Sequence, residues 1–390
     1  MTNVRLAARL TNVIHSPIGA AHALVPQRSG RRSLLDLSQA APSFPPAPAV
    51  TARIAEVVNR PDSARYAPQP GLPELRAEFA CDLNAAYQSN LQAADVLITP
   101  GCNEAFCLAI SVLLSPGDVV VIPVPYYFNH DMWLRVEGIE VRYWDGDPGT
   151  LDHHLDHRVR AVVVVSPGNP TGVTVPPAGI RSIATTCRGR GVAVILDETY
   201  RTYRPTIDRA HDLYADADWA DHVVTLHSFS KEFAIPGYRV GALVGHPDII
   251  AQALKWLDCV SICTSRIGQE AALAGLRLAS EWRSEVRDRI AGLRQHFAEV
   301  MAGRPGGFAL ESSGAYFGWV RHPYVDRSTS SIVRDLIIDH DTLAIPGVAF
   351  TPRDHRFLRL SVANLDHAQL DDLAERLAAF RPGMADLAVE

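Results

Sequence analysis

Lysine is nearly missing from this 390-residue chain. Of 37 basic side chains only Lys231 and Lys255 are lysines, which leaves 35 arginines. A coding bias toward arginine accounts for the imbalance and makes each retained ammonium worth explaining. Cysteine is sparse too. The six thiols (81, 102, 107, 187, 259 and 263) show no C-x-x-C spacing, which argues against a zinc ribbon or a dithiol redox motif and predicts free thiols in a reducing compartment. No apolar run approaches the roughly 18 residues of a membrane span, and the start, MTNVRLAARL, holds no signal-peptide core. A cytoplasmic protein without a membrane partner is therefore expected. There is no excess of positive charge: the net charge is −6, which argues against a nucleic-acid partner.

What is present is an ordinary globular composition, 47% hydrophobic and 21% charged, well away from the disordered class. The length suggests two or three domains at roughly 150 residues each. Residues 1–48 end in AAPSFPPAPAV and read as an extended N-terminal arm that also forms part of a small domain. From 49 to 285, seven short apolar runs alternate with helical patterns. They are DVLIT (95–99), VVVIP (119–123), VRYW (141–144), AVVVV (161–165), VAVIL (192–196), VVTLH (223–227) and VGALVG (240–245).

Runs that are apolar throughout fit strands buried on both faces of a parallel sheet. The helical stretches 103–114, 178–189 and 247–258 lie between them. An α/β fold follows: a large domain with a mostly parallel seven-stranded sheet sandwiched by helices, its ligands at the carboxyl ends of the strands. A long amphipathic helix is predicted near 281–302. Beyond it, 286–390 reads as a smaller α+β domain with strands at AYFGWVR, LAIPG and FLRLSV and helices near 330–339 and 367–380.

Four strands run straight into polar or glycine-rich residues. DVLIT leads to Gly101-Cys102-Asn103 at a helix start, a place for an anion on backbone N–H groups or simply a βα turn. AVVVV ends in SPGNPTG, which puts Asn169 in a turn. VAVIL delivers Asp197, with Tyr200 three residues on; a carboxylate there either caps a helix or meets a cation. VVTLH leads to Ser228, Ser230 and Lys231. Taken together they offer an anion cradle, an amide, a buried carboxylate and an amine that can lose its proton and condense with a carbonyl, which arginine cannot do. Pyridoxal 5′-phosphate is the cofactor that would use all four.

At this point the chain resembles the fold-type I pyridoxal-phosphate enzymes, specifically the class I/II aminotransferase group, over about residues 34–380. The fold implied is that of aspartate aminotransferase. SFSKEFAIPGYRVG is similar to the family's S-x-S-K-x-F-x-x-P-G-x-R-x-G, which implies Lys231 as the Schiff-base lysine and Ser228, Ser230 and Arg239 around the phosphate. NPTG and DETY imply Asn169 and Tyr200 on the ring hydroxyl and Asp197 on the ring nitrogen. VIPVPYYFNH implies an aromatic stacked on the ring, Tyr127 or, failing that, Tyr126. GCNEA implies phosphate contacts from Gly101, Cys102 and Asn103. RYAPQPGLPELR implies that Tyr66 reaches the phosphate of a neighbouring subunit, hence a homodimer with shared sites.

On the substrate side, FLRLSVAN implies that Arg359 grips the α-carboxylate, which a planar guanidinium suits. LDLSQAAPSF places Ala40 and Ala41 where the family commonly has Gly, and their methyl groups would narrow the pocket. Tyr316 in GAYFGW faces either substrate or core. Arg266 in CTSRIGQEAAL falls in a segment that borders the partner's site in this family; it either recognises an acidic or phosphorylated group or is an ordinary surface or helix-start arginine. The cluster His153, His154 and His157 reads as a polar turn, and no metal is expected.

The activity implied is transamination between an L-amino acid and a 2-oxo acid, through a Lys231 aldimine and a Cα carbanion (quinonoid). Relatives such as aminocyclopropane-carboxylate synthase put the same carbanion to elimination, replacement, cyclisation or oxidation. A DNA-binding relative of this fold would need a helix-turn-helix domain ahead of it, and the resemblance already begins near residue 34.

Overall fold

The computed structural model describes residues 7–206 and 208–382. Thirteen strands are found among them. β1 is Leu35–Asp36, β2 Val96–Thr99, β3 Val119–Pro123, β4 Glu140–Trp144, β5 Val159–Val165, β6 Ala193–Asp197, β7 Val223–Ser228 and β8 Gly241–Val244. β9 is Ala309–Gly314, β10 Phe317–Arg321, β11 Thr342–Leu343, β12 Ile345–Pro346 and β13 Phe357–Ser361. β2 to β8 are the seven apolar runs, and they form one sheet in the order β2-β8-β7-β6-β5-β3-β4. Only β8 runs against its neighbours.

The interior strands are built mainly from Val, Ile, Leu and Ala because helices cover both faces. Successive side chains alternate between two cores. Val120, Ile122, Val163 and Ile195 pack with Phe106 and Ile110 of the helix Cys102–Leu113. Val119, Val121, Val162 and Val194 pack with Ile180 and Ile183 of the helix Pro177–Gly189. Proline at the first turn starts the helices Pro48–Val57, Pro73–Tyr87, Pro177–Gly189 and Pro247–Val260, where its missing N–H costs nothing.

The helix Ser280–Ala302 runs unbroken through residue 285. Its buried stripe Val286, Ile290, Leu293, Phe297 and Met301 keeps helical spacing and joins a separate core under the antiparallel sheet β12-β13-β10-β9. β9, with the sequence ALESSG, has no counterpart among the predicted strands. It is a half-buried edge strand whose Glu and Ser residues carry no apolar alternation.

Residues 7–48 differ from the extended arm expected of them. They contain the short helix Pro17–His22, where Ser16 accepts a hydrogen bond from the Gly19 N–H, and the strand β1. β1 (Leu35–Asp36) pairs in parallel with β11 (Thr342–Leu343), more than 300 residues away. That long-range pairing draws the arm over the carboxyl ends of the large sheet and buries Leu35 and Leu37 in the small-sheet core.

Candidate active site

The carboxyl ends of β2, β5, β6 and β7 meet in one cavity, which Cys102, Asn103, Asn169, Asp197, Ser228 and Lys231 line along with other residues. At one end the chain leaves β2 through Gly101, whose φ of +90° suits glycine. A Cβ there would lie 2.4 Å from a guanidinium nitrogen of Arg239. Arg239 itself sits in the left-handed region at φ +49° and donates to the Pro236 carbonyl at 2.9 Å. The helix Cys102–Leu113 begins at this point, so its first N–H groups and a guanidinium face the same corner. The Ser228 and Ser230 hydroxyls open into the cavity and bond no described residue.

Asp197 ends β6 and is 4% exposed. Its Oδ1 accepts the Thr199 N–H at 2.9 Å and the Cys102 thiol at 3.7 Å, while Oδ2 lies 3.3 Å from Nε2 of His130. Burial alone would push this carboxyl up. The His130 contact and the Thr199 hydrogen bonds outweigh it and hold the group below its ordinary value, so it stays anionic. His130 is fixed from behind by the Phe106 ring, stacked at 4.0 Å. Tyr127, at the start of the same helix Phe128–Val136, is enclosed; burial drives its hydroxyl to about 12 against the pull of an Asn103 hydrogen bond.

Lys231 follows β7 in the short helix Phe229–Glu232. Its ammonium nitrogen makes no hydrogen bond or ion pair with any described residue. Burial, then the charges of Arg239 and Arg359, lower its pKa to about 8. Its backbone is held instead: the carbonyl accepts from Tyr203 at 2.8 Å and from Tyr316 at 3.3 Å. Arg359 on β13 is 1% exposed, lies over the Phe317 and Phe350 rings, and donates to Asn169 Oδ1 at 3.1 Å and to the Ser38 carbonyl. Its Nε has no partner. Burial brings this guanidinium down to about 10, with Tyr200 and Tyr127 pulling it back up.

Ala40 lines the cavity, as does Tyr200; Ala41 does not. Tyr316 is buried behind the Lys231 backbone, bonded to Tyr203 at 3.1 Å, and does not line the cavity. Tyr66 stands outside it, 75% exposed. Tyr126 stacks on Tyr143, away from the ring-binding corner. Arg266 starts the helix Arg266–Leu278 and pairs with Asp62 at 3.7 Å, its Nε buried without a partner. Among the described residues no three His, Cys, Asp or Glu side chains converge on a metal-sized site, His153, His154 and His157 included. Sequence reasoning missed His130, Thr199, Ile18 and Gln39. The signal for His130 was its place three residues past Tyr127, on the same turn of helix, and that for Gln39 its place beside Ala40 in LDLSQAAPSF; Ile18 gave none, because packing between distant segments brings it in.

This donor set fits pyridoxal 5′-phosphate: the Gly101 corner has room for an anion only because a Cβ is absent, the buried carboxylate of Asp197 that lines the cavity matches a ring N–H, and the unpartnered amine matches an aldehyde. The class that fold and donors define is therefore that of the fold-type I pyridoxal-phosphate enzymes. A family model, aminotransferase class I and II, matches residues 32–377, and the chain belongs to that family, whose members use pyridoxal 5′-phosphate. Among its relatives, the aromatic aminotransferase ISS1 of Arabidopsis thaliana is 28% identical over 367 residues, 90% of either chain. An aspartate aminotransferase of Sulfolobus acidocaldarius is 26% identical over 329 residues, 80% of either chain. The structure of Thermus thermophilus aspartate aminotransferase with maleate has the same fold, with a TM-score of 0.87 over 96% of this chain and 99% of that one at 22% identity.

Proposed function

We propose that this aminotransferase moves the amino group of an L-amino acid to a 2-oxo acid at a site built around Lys231, as a homodimer in the cytoplasm. The observation that carries this reading is the unpartnered Lys231 amine, held near a pKa of about 8 in a cavity it shares with the anionic Asp197. An amine tuned toward neutrality can form a covalent bond and then move a proton at neutral pH. The free cysteines support a reducing compartment. The exposure of Tyr66 supports a role completed by a second subunit.

Pyridoxal phosphate, when bound, supplies an electron sink for the charge left on the substrate's Cα. The rest falls to the chain. Arg239, Ser228, Ser230 and the N–H groups around Gly101, Cys102 and Asn103 would hold the phosphate. Asp197, its charge maintained by His130 and Thr199, would hold the ring nitrogen. Asn169 and Tyr200 would hold the ring oxygen, and Tyr127 would cover the ring. Arg359 binds the α-carboxylate beside Ala40, and the Lys231 amine takes the proton from Cα. Tyr66 serves the partner's phosphate.

The test is a panel of amino acids added to the purified holoenzyme. The expected result is loss of the visible band of the lysine-bound cofactor with release of an oxo acid, and loss of both band and turnover in Lys231→Ala. Ammonia release, oxygen uptake or turnover by Lys231→Ala would overturn it.

A further inference from the structure

A second cavity adjoins the first, at a place where the large sheet splits. The β3–β5 ladder stops at the Val121–Val162 pair. Beyond it β3 follows β4 as far as Pro123–Trp144, and β5 follows β6 as far as Val165–Asp197. The two strands therefore part before they end, and a cleft of about 270 Å³ opens between them. Val124, Trp144, Val163, Val173, Val175 and Ile183 are among the apolar side chains of its wall. No lysine or arginine lines it. Its polar side chains are engaged elsewhere: Asp145 accepts from the Asp147 N–H and Thr150, Thr171 from the Val173 N–H, His130 meets Asp197, Asn169 accepts from Arg359, and Tyr126 stacks on Tyr143.

Three residues line both cavities: Tyr127, Val165 and Asn169. Asn169 is the residue that holds Arg359, so the carboxylate anchor stands at the cleft's edge. The cations in the first cavity are Lys231, Arg239 and Arg359, and each already has a task under the reading above. Among the described residues no further cation of this chain lines that cavity, and Arg266, the cation a second subunit would bring near it, already pairs with Asp62. An apolar cavity of about 150 Å³ is enough to take up a benzene ring, and this cleft is larger. We propose that the cleft seats the side chain of the amino-acid substrate, so the enzyme prefers donors with a large apolar side chain, aromatic or branched, over acidic ones. This rests on the aminotransferase reading.

Filling the cleft tests it. Val173 is half exposed at the rim, and Val175 is half-buried beyond it, so Val173→Trp and Val175→Phe reduce the space from two positions. In the holoenzyme, kcat/KM for phenylalanine relative to alanine should fall at least about tenfold in either variant, mostly through KM. Binding of 3-phenylpropionate to the holoenzyme, followed by calorimetry, should weaken by a similar factor; it needs no turnover. A ratio within about twofold of wild type in both variants, or aspartate preferred over phenylalanine by the wild type, overturns the inference. If no amino acid removes the visible band, the aminotransferase reading fails first and takes this one with it.

Discussion

Replacing Lys231 with Met should stabilise the cofactor-free protein near neutral pH. The lysine's pKa falls from its ordinary 10.5 to about 8 in the folded chain, a drop of roughly 2.5 units, and each unit is about 1.36 kcal/mol. Below pH 8 both folded and unfolded chains carry the proton, and the folded state bears the full cost of enclosing it. From pH 8 to 10.5 the folded chain sheds the proton first, so stability rises with pH until the cost is gone. The ceiling on the gain is thus about 3 kcal/mol, reduced where solvent in the cavity screens the charge. Methionine reaches as far and packs without a charge, and it orphans no partner, because the ammonium has none among the described residues. The assay is urea unfolding in a buffer without phosphate, whose anion would pair with Arg239. The Met variant should show the higher midpoint at about pH 7 and lose that advantage by about pH 10. An equal or lower midpoint at pH 7, or a gain that ignores pH, would refute the account of a buried, unpaired amine.

Two further outcomes follow from other parts of the fold. Gly101→Ala forces a methyl group to within 2.4 Å of Arg239 at a φ of +90°, so cofactor affinity, read by fluorescence titration, should drop at least about tenfold; unchanged affinity would mean the cradle lies elsewhere. Beneath the site, burial lowers the His227 ring from 6.5 to about 4 despite the pull of Glu198. The unfolded chain therefore binds a proton there that the folded chain refuses, and stability should fall as pH drops from 6.5 to 4, by up to about 3 kcal/mol. His227→Gln should flatten that slope in chemical unfolding, and parallel slopes would count against it.

The cofactor end of the site was legible because chemistry interrupts hydrophobicity there. Asp197 and the Ser228–Lys231 stretch stand out against valine-rich strands, and strand ends are where such a sheet gathers ligands. Residues fixed by packing between elements were not legible. His130 is one histidine on a helix until Phe106 stacks on it and Asp197 meets it. Ile18 reaches the cavity only because packing between distant segments, β1 on β11 among them, brings it in. The expected arm was structured for the same reason, and β9 escaped notice because an edge strand need not alternate. Tyr316 looks like a pocket residue in the sequence, but its hydroxyl turns to Tyr203 and the Lys231 carbonyl. The cleft between β3 and β5 depends on where two ladders part company, which no single run of residues encodes.

That pair of tyrosines has a mechanical consequence. Tyr203 and Tyr316 belong to the core beneath the small antiparallel sheet, whereas Lys231 hangs from the end of the large one. The lysine's peptide is thus tied to two hydrophobic bodies at once. Loosening the smaller body would slacken the tether and let the amine wander, with every cavity side chain still in place and the larger sheet intact. Reactivity at Lys231 would then serve as a strain gauge for the far side of the molecule, registering damage to the carboxyl-terminal layer before any loss of strand content.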